Sequence, residues 1–395
     1  MDYNWSAIGR QDYIKNTGNI PSMISGWNGD VSKLFIPIKS IQKATNSSIV
    51  ENSNYLTIDE LIPMKAQMAY LLQQNYGLHI SEFDFTVANN ATNALFMILV
   101  VLMNSSGRNI LTSKPYYFTV DYMNTIIENS VNHIDIYSKD SFQLNFNVLE
   151  DIIKQKKTNI LVFTDPIYST GKSLSLDDYK HIEEICCFYN VYAVFDCAQS
   201  GNRWIDNSYF DNKKIALITN SKNLVMFDSL SKQLFINGIK FSNIYANSSI
   251  IGKIQEIFEA VSGSFCVTQI RLINELYSLD GKQEIDICTK HNITHFINTY
   301  SSLDRILKNS NYSIFKPDSG NFAMIFHKEL HLNEHSEKLF YSYFLNKYNL
   351  AVFPTKYFDF SDDEHFGFRV NLALSENELI SGVSKVLVTD LDLFE

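Results

Sequence analysis

The sequence predicts an α/β protein: a large unit built on a mostly parallel sheet sandwiched by helices, followed by a smaller α+β unit. Three observations predict it. Between residues 159 and 227, short continuous apolar runs alternate with helical stretches, the pattern of parallel strands buried on both faces. The loops closing those runs collect charged residues, as ligand loops at the carboxyl ends of an open parallel sheet do. Towards the C-terminus the pattern changes to short strands alternating with helices, and 395 residues exceed what one small core serves.

Residues 1–50 carry glycine, asparagine and serine, as in Ser25-Gly-Trp-Asn-Gly29, show no strong period, and read as loops. From Tyr55 the pattern turns helical, with Leu61, Met64, Met68, Leu71 and Leu72 on one face until Gly77. Phe83 to Val87 alternates as a short strand, Ala88-Asn-Asn-Ala-Thr92 turns, and Asn93 to Met103 reads as an apolar helix. Such a turn either caps the helix through Asn90 or Thr92 or offers free N–H groups to an anion. Asn109 to Thr112 is strand-like. Tyr117 and Tyr122 follow Pro115, placed either to pack locally or to stack on a planar ligand.

Asn159 to Thr164 is a buried strand, Asp165 to Gly171 a loop, and Leu174-Ser-Leu-Asp-Asp178 opens a helix running to about Tyr189. Val191 to Phe195 is the next strand and ends at Asp196. Ile215 to Ile218 and Leu224 to Phe227 read as further short strands, the latter delivering Ser229-Leu-Ser-Lys232. A lysine there is either a solvated turn residue or, inside a pocket, a desolvated amine able to form a Schiff base. Asp165, Asp196 and Lys232 all close strands; a strand-end carboxylate is commonly a turn former, and its pairing with a strand-end lysine raises the functional reading. Helices follow over Ile250 to about Ile287 and His291 to Leu307. Strands at Phe322 to Phe326, Ala351 to Phe353 and Phe368 to Leu372 then alternate with helices at His335 to Tyr348 and Glu376 to Val386. Arg369 sits within an alternating strand and faces either solvent or a cleft.

Composition narrows the function classes. A hydrophobic content of 45%, with 19% charged and 13% aromatic residues, is that of a globular chain rather than a disordered one. The net charge of −10 disfavours nucleic acid and anionic membrane as main partners. The start, Met1 to Ser6, lacks the basic and apolar regions of a secretory leader, and the most apolar run, Ala94 to Met103, is too short to span a bilayer. A soluble, cytoplasmic protein is the expectation. Cys186, Cys187, Cys197, Cys266 and Cys288 form no Cys-x-x-Cys, and with His181 and His291 they assemble no four-ligand set, so neither zinc nor a disulfide frame is expected.

From about Tyr55 to Glu378 these landmarks resemble, in order and spacing, the class I/II aminotransferases, fold-type I enzymes dependent on pyridoxal 5′-phosphate. The resemblance rests on an ordered set: strand-end Asp196, Ser229-Leu-Ser-Lys232, Lys240 downstream of it, and Arg369 in Phe368-Arg-Val-Asn-Leu-Ala373. It implies that Lys232 holds the cofactor as a Schiff base and later shuttles the substrate proton, and that Asp196 pairs with the pyridine nitrogen. Asn90, Ala91 and Thr92 match the phosphate-binding helix start, joined by Ser229. Tyr117 matches the ring that stacks on the pyridine, Tyr55 a tyrosine reaching the partner subunit's phosphate, and Arg369 the grip on the substrate carboxylate. A segment over residues 1–50 packing with the small domain, a large domain over 51–285, a small domain over 286–395 and a homodimer with shared sites are implied as well.

Three positions depart from that family's pattern. Lys240 stands where an arginine binds phosphate, Tyr168 where an asparagine bonds the cofactor's phenolic oxygen, and Gln199 where a tyrosine does. Tyr168 and Gln199 are expected to have exchanged roles as phenol and amide donors. The reaction implied moves the amino group of an α-amino acid to an oxo acid through a carbanion at Cα. The same intermediate serves a lyase, cyclase, decarboxylase or oxidase of a specialised pathway, and a non-catalytic ligand-binding relative is the third reading.

Overall fold

The computed structural model describes residues 5–47, 56, 58–127, 130–139, 141–262, 266–361 and 364–394. Helices α1 (Trp5–Thr17) and α2 (Ile38–Ser47) flank a two-residue strand, β1 (Ser22–Met23). Loops were the expectation here, because neither helix is held by a pattern of its own. The Trp5 ring meets Tyr341 edge-on at 5.0 Å, and Tyr341 donates to the Ser6 carbonyl at 3.0 Å. The first turn of α2 is closed from far away: Lys39 N and Ser40 N both donate to the Glu284 carboxylate at 2.9 Å. An acceptor at a helix start satisfies N–H groups that have no intrahelical partner, whatever its place in the chain.

The large unit follows as α3 (Ile58–Tyr76), β2 (Phe85–Ala88), α4 (Ala91–Ser106), β3 (Asn109–Ser113), α5 (Thr119–Ile127), β4 (Ser130–Ile134), α6 (Phe146–Lys156), β5 (Ile160–Thr164), α7 (Leu176–Tyr189), β6 (Tyr192–Cys197), α8 (Asn212–Asn220), β7 (Leu224–Asp228), the single turn α9 (Leu230–Gln233) and β8 (Ser242–Ala246). Its seven strands lie in the order β2-β8-β7-β6-β5-β3-β4, with β8 antiparallel to both neighbours and the other pairs parallel. Register aligns the strand ends. Thr164 pairs with Asp196, Asp196 with Phe227, Phe227 with Ile244, and Ile244 with Thr86. The carboxyl ends of β5, β6, β7 and β2 therefore open on one side. Helix α4, apolar nearly all round, packs against β6, β7 and β8 with Ala94, Leu95, Ile98, Leu99 and Leu102 buried; each such large side chain contributes about 1.5–3 kcal/mol.

Ile215 to Ile218, expected as a strand, lies inside α8. Asp211 caps that helix by accepting from Lys214 N at 3.2 Å, and Ile215 and Ile218 are buried against β7 and β8. An apolar run this short carries too little length to separate a helical from a strand period. Strand β8 has no continuous apolar run because it carries buried Asn243, which donates to buried Asp228 at the end of β7.

Beyond β8 come α10 (Ser248–Ser262), α11 (Val267–Tyr277), α12 (Leu279–Leu307), β9 (Tyr312–Ile314), β10 (Phe322–His327), α13 (Glu334–Tyr348), β11 (Leu350–Ala351), β12 (Gly367–Asn371) and α14 (Glu376–Leu387). The helical stretch expected from Ile250 to about Ile287 is divided among three helices, the last starting where Ser278 accepts from Gly281 N at 3.1 Å. Helix α12 continues unbroken past residue 291, so the division expected between residues 285 and 286 falls inside it. Strands β12, β10 and β9 form an antiparallel sheet, and β1 pairs in parallel with β11. A second hydrophobic cluster under this sheet draws in Ile24 and Leu34 from the N-terminal segment.

Asp165, just past β5, is committed to structure. It is buried, accepts Tyr179 Oη at 2.9 Å and Leu174 N at 3.1 Å, and pairs with buried Lys214 Nζ at 2.6 Å. Breaking such a pair from one side leaves an uncompensated buried charge. Lys214→Met is expected to lower stability by about 3–5 kcal/mol, read from the denaturant midpoint, and adding Asp165→Asn in the double variant should recover part of the loss.

Candidate active site

Lys232 is presented by the turn that β7 runs into. Its N–H donates to the Ser229 carbonyl at 3.0 Å, and its Nζ stands 5.3 Å from the centre of the Tyr117 ring, which arrives from the end of β3. Asp196 closes β6 close enough for the Lys232 charge to act on its carboxylate. Burial raises the Asp196 pKa, opposed by Lys232 and by the hydrogen bond from Ala198 N at 3.0 Å. No cation lies within ion-pair distance of Asp196 among the described residues. A half-buried carboxylate of this kind is an open partner for a positive group.

The start of α4 joins the same end of the sheet. Ala88 pairs with Ser242, whose hydroxyl donates to the Asp228 carbonyl, one residue before Ser229. Asn90 caps α4, its side chain accepting from Asn93 N at 2.9 Å, so the capping alternative holds for that side chain. The backbone N–H groups of Ala91 and Thr92 remain at a helix N-terminus, where an anion is favoured. Ser229 is buried, with its Oγ 3.3 Å from Ser231 Oγ.

Aromatic side chains wall the other side. The Tyr168 ring lies 5.6 Å from Tyr117, 6.2 Å from Trp27 and 5.7 Å from Phe358. Its hydroxyl is buried without a hydrogen-bond partner, and burial holds the phenol well above its ordinary pKa. Arg369, on β12, faces this interior and not solvent: it is 0% exposed. Its Nε and Nη2 donate to the Ser25 carbonyl at 3.1 and 2.6 Å, and Nη1 reaches Ser169 Oγ at 3.4 Å. The guanidinium carbon stands 4.1 Å from the Trp27 ring, 4.2 Å from Phe322 and 4.5 Å from Phe358. Burial lowers its pKa, and no carboxylate pairs with it among the described residues.

The side chains of two further candidates bond to none of these residues. Gln199 is half-buried, its backbone packed on Gly320, and its amide makes no hydrogen bond among the described residues. Lys240 is exposed ahead of β8; its carbonyl accepts from the Gln269 amide, and its ammonium has no ion pair among the described residues. Tyr55 lies outside the described residues. Asp165, grouped with Asp196 and Lys232 as a strand-end residue, instead pairs with Lys214. Ser25 and Ser169, which touch Arg369, were not singled out, and neither has a local signal: Ser25 lies 344 residues from its partner. Asn371 secures the same loop by donating to the carbonyls of Gly26 and Asn28 at 3.0 Å.

An amine, an unpaired carboxylate, an orphaned phenol and a helix start thus surround one aromatic face. That donor set fits a flat pyridine aldehyde bearing a phenolic oxygen and a phosphate. The sequence model of the family described as aminotransferase class I and II matches residues 27–386. The chain is 21% identical over 251 residues to a probable aspartate aminotransferase of Methanocaldococcus jannaschii, covering 62% of this chain and 64% of that one. It is 22% identical over 354 residues to an aspartate aminotransferase of Pyrococcus horikoshii, covering 88% and 86%. Among solved structures, a Thermus thermophilus aspartate aminotransferase variant superposes with a TM-score of 0.81 at 14% identity, over 98% of this chain and 97% of that one. At that identity the likeness is one of fold.

Proposed function

The chain belongs to the aminotransferase class I and II family of pyridoxal 5′-phosphate-dependent transferases, and from that premise we propose that it moves the amino group of an α-amino acid to an oxo acid. When bound, the cofactor supplies an aldehyde that condenses with amines and a protonated ring that takes up the electron pair of a broken Cα–H bond. Lys232 Nζ would hold that aldehyde and is the base that would take the proton from the substrate Cα. Asp196 holds the proton on the ring nitrogen. The N–H groups of Ala91 and Thr92, with Ser229, receive the phosphate, Lys240 adds charge to it, and Tyr117 covers the ring. Tyr168 and Gln199 are the donors to the phenolic oxygen. A homodimer completed by Tyr55, placed in the cytoplasm, belongs to the same reading; no described helix is long and apolar enough to cross a membrane.

Arg369 is the observation that carries the reading. A guanidinium that is 0% exposed and lacks a carboxylate partner among the described residues is costly unless an anion joins it. A planar fork beside Trp27 suits the α-carboxylate of an amino acid, held in two hydrogen bonds with Cα turned towards Lys232. Arg369→Lys keeps the charge and loses the fork. It is expected to raise KM for the amino acid about 100-fold, near 2.7 kcal/mol, with the cofactor absorbance unchanged. An unaltered KM would remove the assignment.

The departures at Tyr168 and Gln199 leave open a second outcome of the same chemistry, in which another bond at Cα breaks. Oxo-acid release matched by consumption of an amino acceptor supports transfer. Ammonia, carbon dioxide or peroxide in its place assigns a lyase, decarboxylase or oxidase.

A further inference from the structure

Successive side chains on a strand point to opposite faces. Behind Asp196 and Phe227 therefore stand Cys197 and Asp228, themselves paired across β6 and β7. With Asp165 they line a second cavity, of about 650 Å³, on the far side of the sheet end from Lys232. Its apolar wall includes Leu174, Phe210 and Met226.

Five carboxylates line this cavity against three cations, and the pairings show which charges are left over: Asp318 is taken by Lys172 at 3.2 Å, and Lys213 is exposed and has no ion pair among the described residues. Lys214 is taken by Asp165 at 2.6 Å. Arg203 is taken by Asp206 at 3.0 Å and by Asp211. Asp228, 4% exposed, has no cation partner among the described residues; its oxygens accept only from Asn243, at 3.1 to 3.3 Å, and from Tyr245 Oη at 3.3 Å. Tyr209, another lining residue and 6% exposed, has a buried hydroxyl with no partner, and it lies within electrostatic reach of Asp228. The Asn212 side-chain oxygen is likewise buried and unpartnered on the same wall. Buried polar atoms are nearly always satisfied, so unpartnered ones beside a cavity point to a missing ligand. Away from exposed Lys213, the buried part of the wall has its surplus in acceptors and negative charge, next to hydrocarbon.

We propose that this cavity binds a small organic ammonium ion, its N–H group facing Asp228 and Tyr209 and its hydrocarbon against Leu174, Phe210 and Met226. The site is separate from the amino-acid site and does not rest on the reaction assigned there. Its walls are nevertheless the backs of the catalytic residues. Gln233, which follows Lys232 and lines the cavity, donates from Nε2 to the Cys197 carbonyl at 3.0 Å, tying the lysine turn to the strand end that carries Asp196.

The test is calorimetric titration of the holoenzyme with N,N-dimethylbenzylamine. As a tertiary amine it keeps one N–H when protonated and cannot condense with an aldehyde, so it reports only on non-covalent binding. Saturable binding at one site per chain is expected. Tyr209→Phe removes the hydroxyl, and Ile205→Trp crowds the rim at a position that is 78% exposed and safe for folding. Both variants are expected to weaken binding at least tenfold. Absence of saturable binding at millimolar probe, or unchanged affinity in either variant, overturns the proposal.

Discussion

Lys232→Ala is expected to remove the visible absorption band of the purified holoenzyme and lower turnover by at least about 10⁴-fold, because the proposed assignment gives one side chain both the hold on the cofactor and the transfer of the substrate proton. No other buried lysine among the described residues is placed to substitute. Lys65 lies over the Phe85 ring at 5.4 Å, and Lys214 is bound to Asp165 on the opposite face of the sheet. The fold tolerates the change, since the turn is held by backbone bonds from Lys232 N and Gln233 N to the Ser229 carbonyl. Small amines added to the variant should restore part of the rate, as they replace the proton carrier without the tether. A band that persists in Lys232→Ala would end the assignment of this residue.

Asp196→Asn is expected to lower kcat about 10³-fold, or about 4 kcal/mol, while leaving KM for the amino acid nearly unchanged. The amide keeps the shape and accepts the same bond from Ala198 N. What it loses is the charge. Burial pushes the Asp196 carboxyl up and Lys232 pulls it down; a protonated ring nitrogen beside it pulls further in the same direction and keeps it ionised. On the proposed role, Asp196 would keep a bound ring nitrogen protonated near neutral pH, and the amide would no longer do so. Steady-state kinetics with both kcat and KM resolved reads this directly, and wild-type turnover in Asp196→Asn would contradict it.

How far the sequence reveals this molecule depends on the length of chain each feature needs. Strands β5, β6 and β7 are legible because six or fewer consecutive residues decide them, and their ends then fix where Asp196 and Lys232 stand. The direction of Arg369 is a different matter. Its strand alternates, but whether a guanidinium faces water or an aromatic cleft is settled by Ser25 and Trp27, far away in the chain. Helix α2 hides for the same reason, since its N-terminal acceptor is Glu284. The partner of Asp165 is equally invisible: Lys214 lies on a helix whose apolar run, Ile215 to Ile218, resembles a strand. Local pattern fixes which residues end a strand, and long-range pairing fixes what those residues meet.

The bond from Arg369 to the Ser25 carbonyl has a consequence for biosynthesis. The two residues are 344 positions apart, so at 5–20 residues per second the ribosome delivers the second about 20–70 s after the first. Every strand of the seven-stranded sheet emerges in between, together with Asp196 and Lys232. A nascent chain halted after β8 thus already carries Asp196 and Lys232, while Arg369 arrives only with β12. On the proposed roles, the grip on the amino acid's carboxylate forms after the strands that carry the cofactor's partners have emerged.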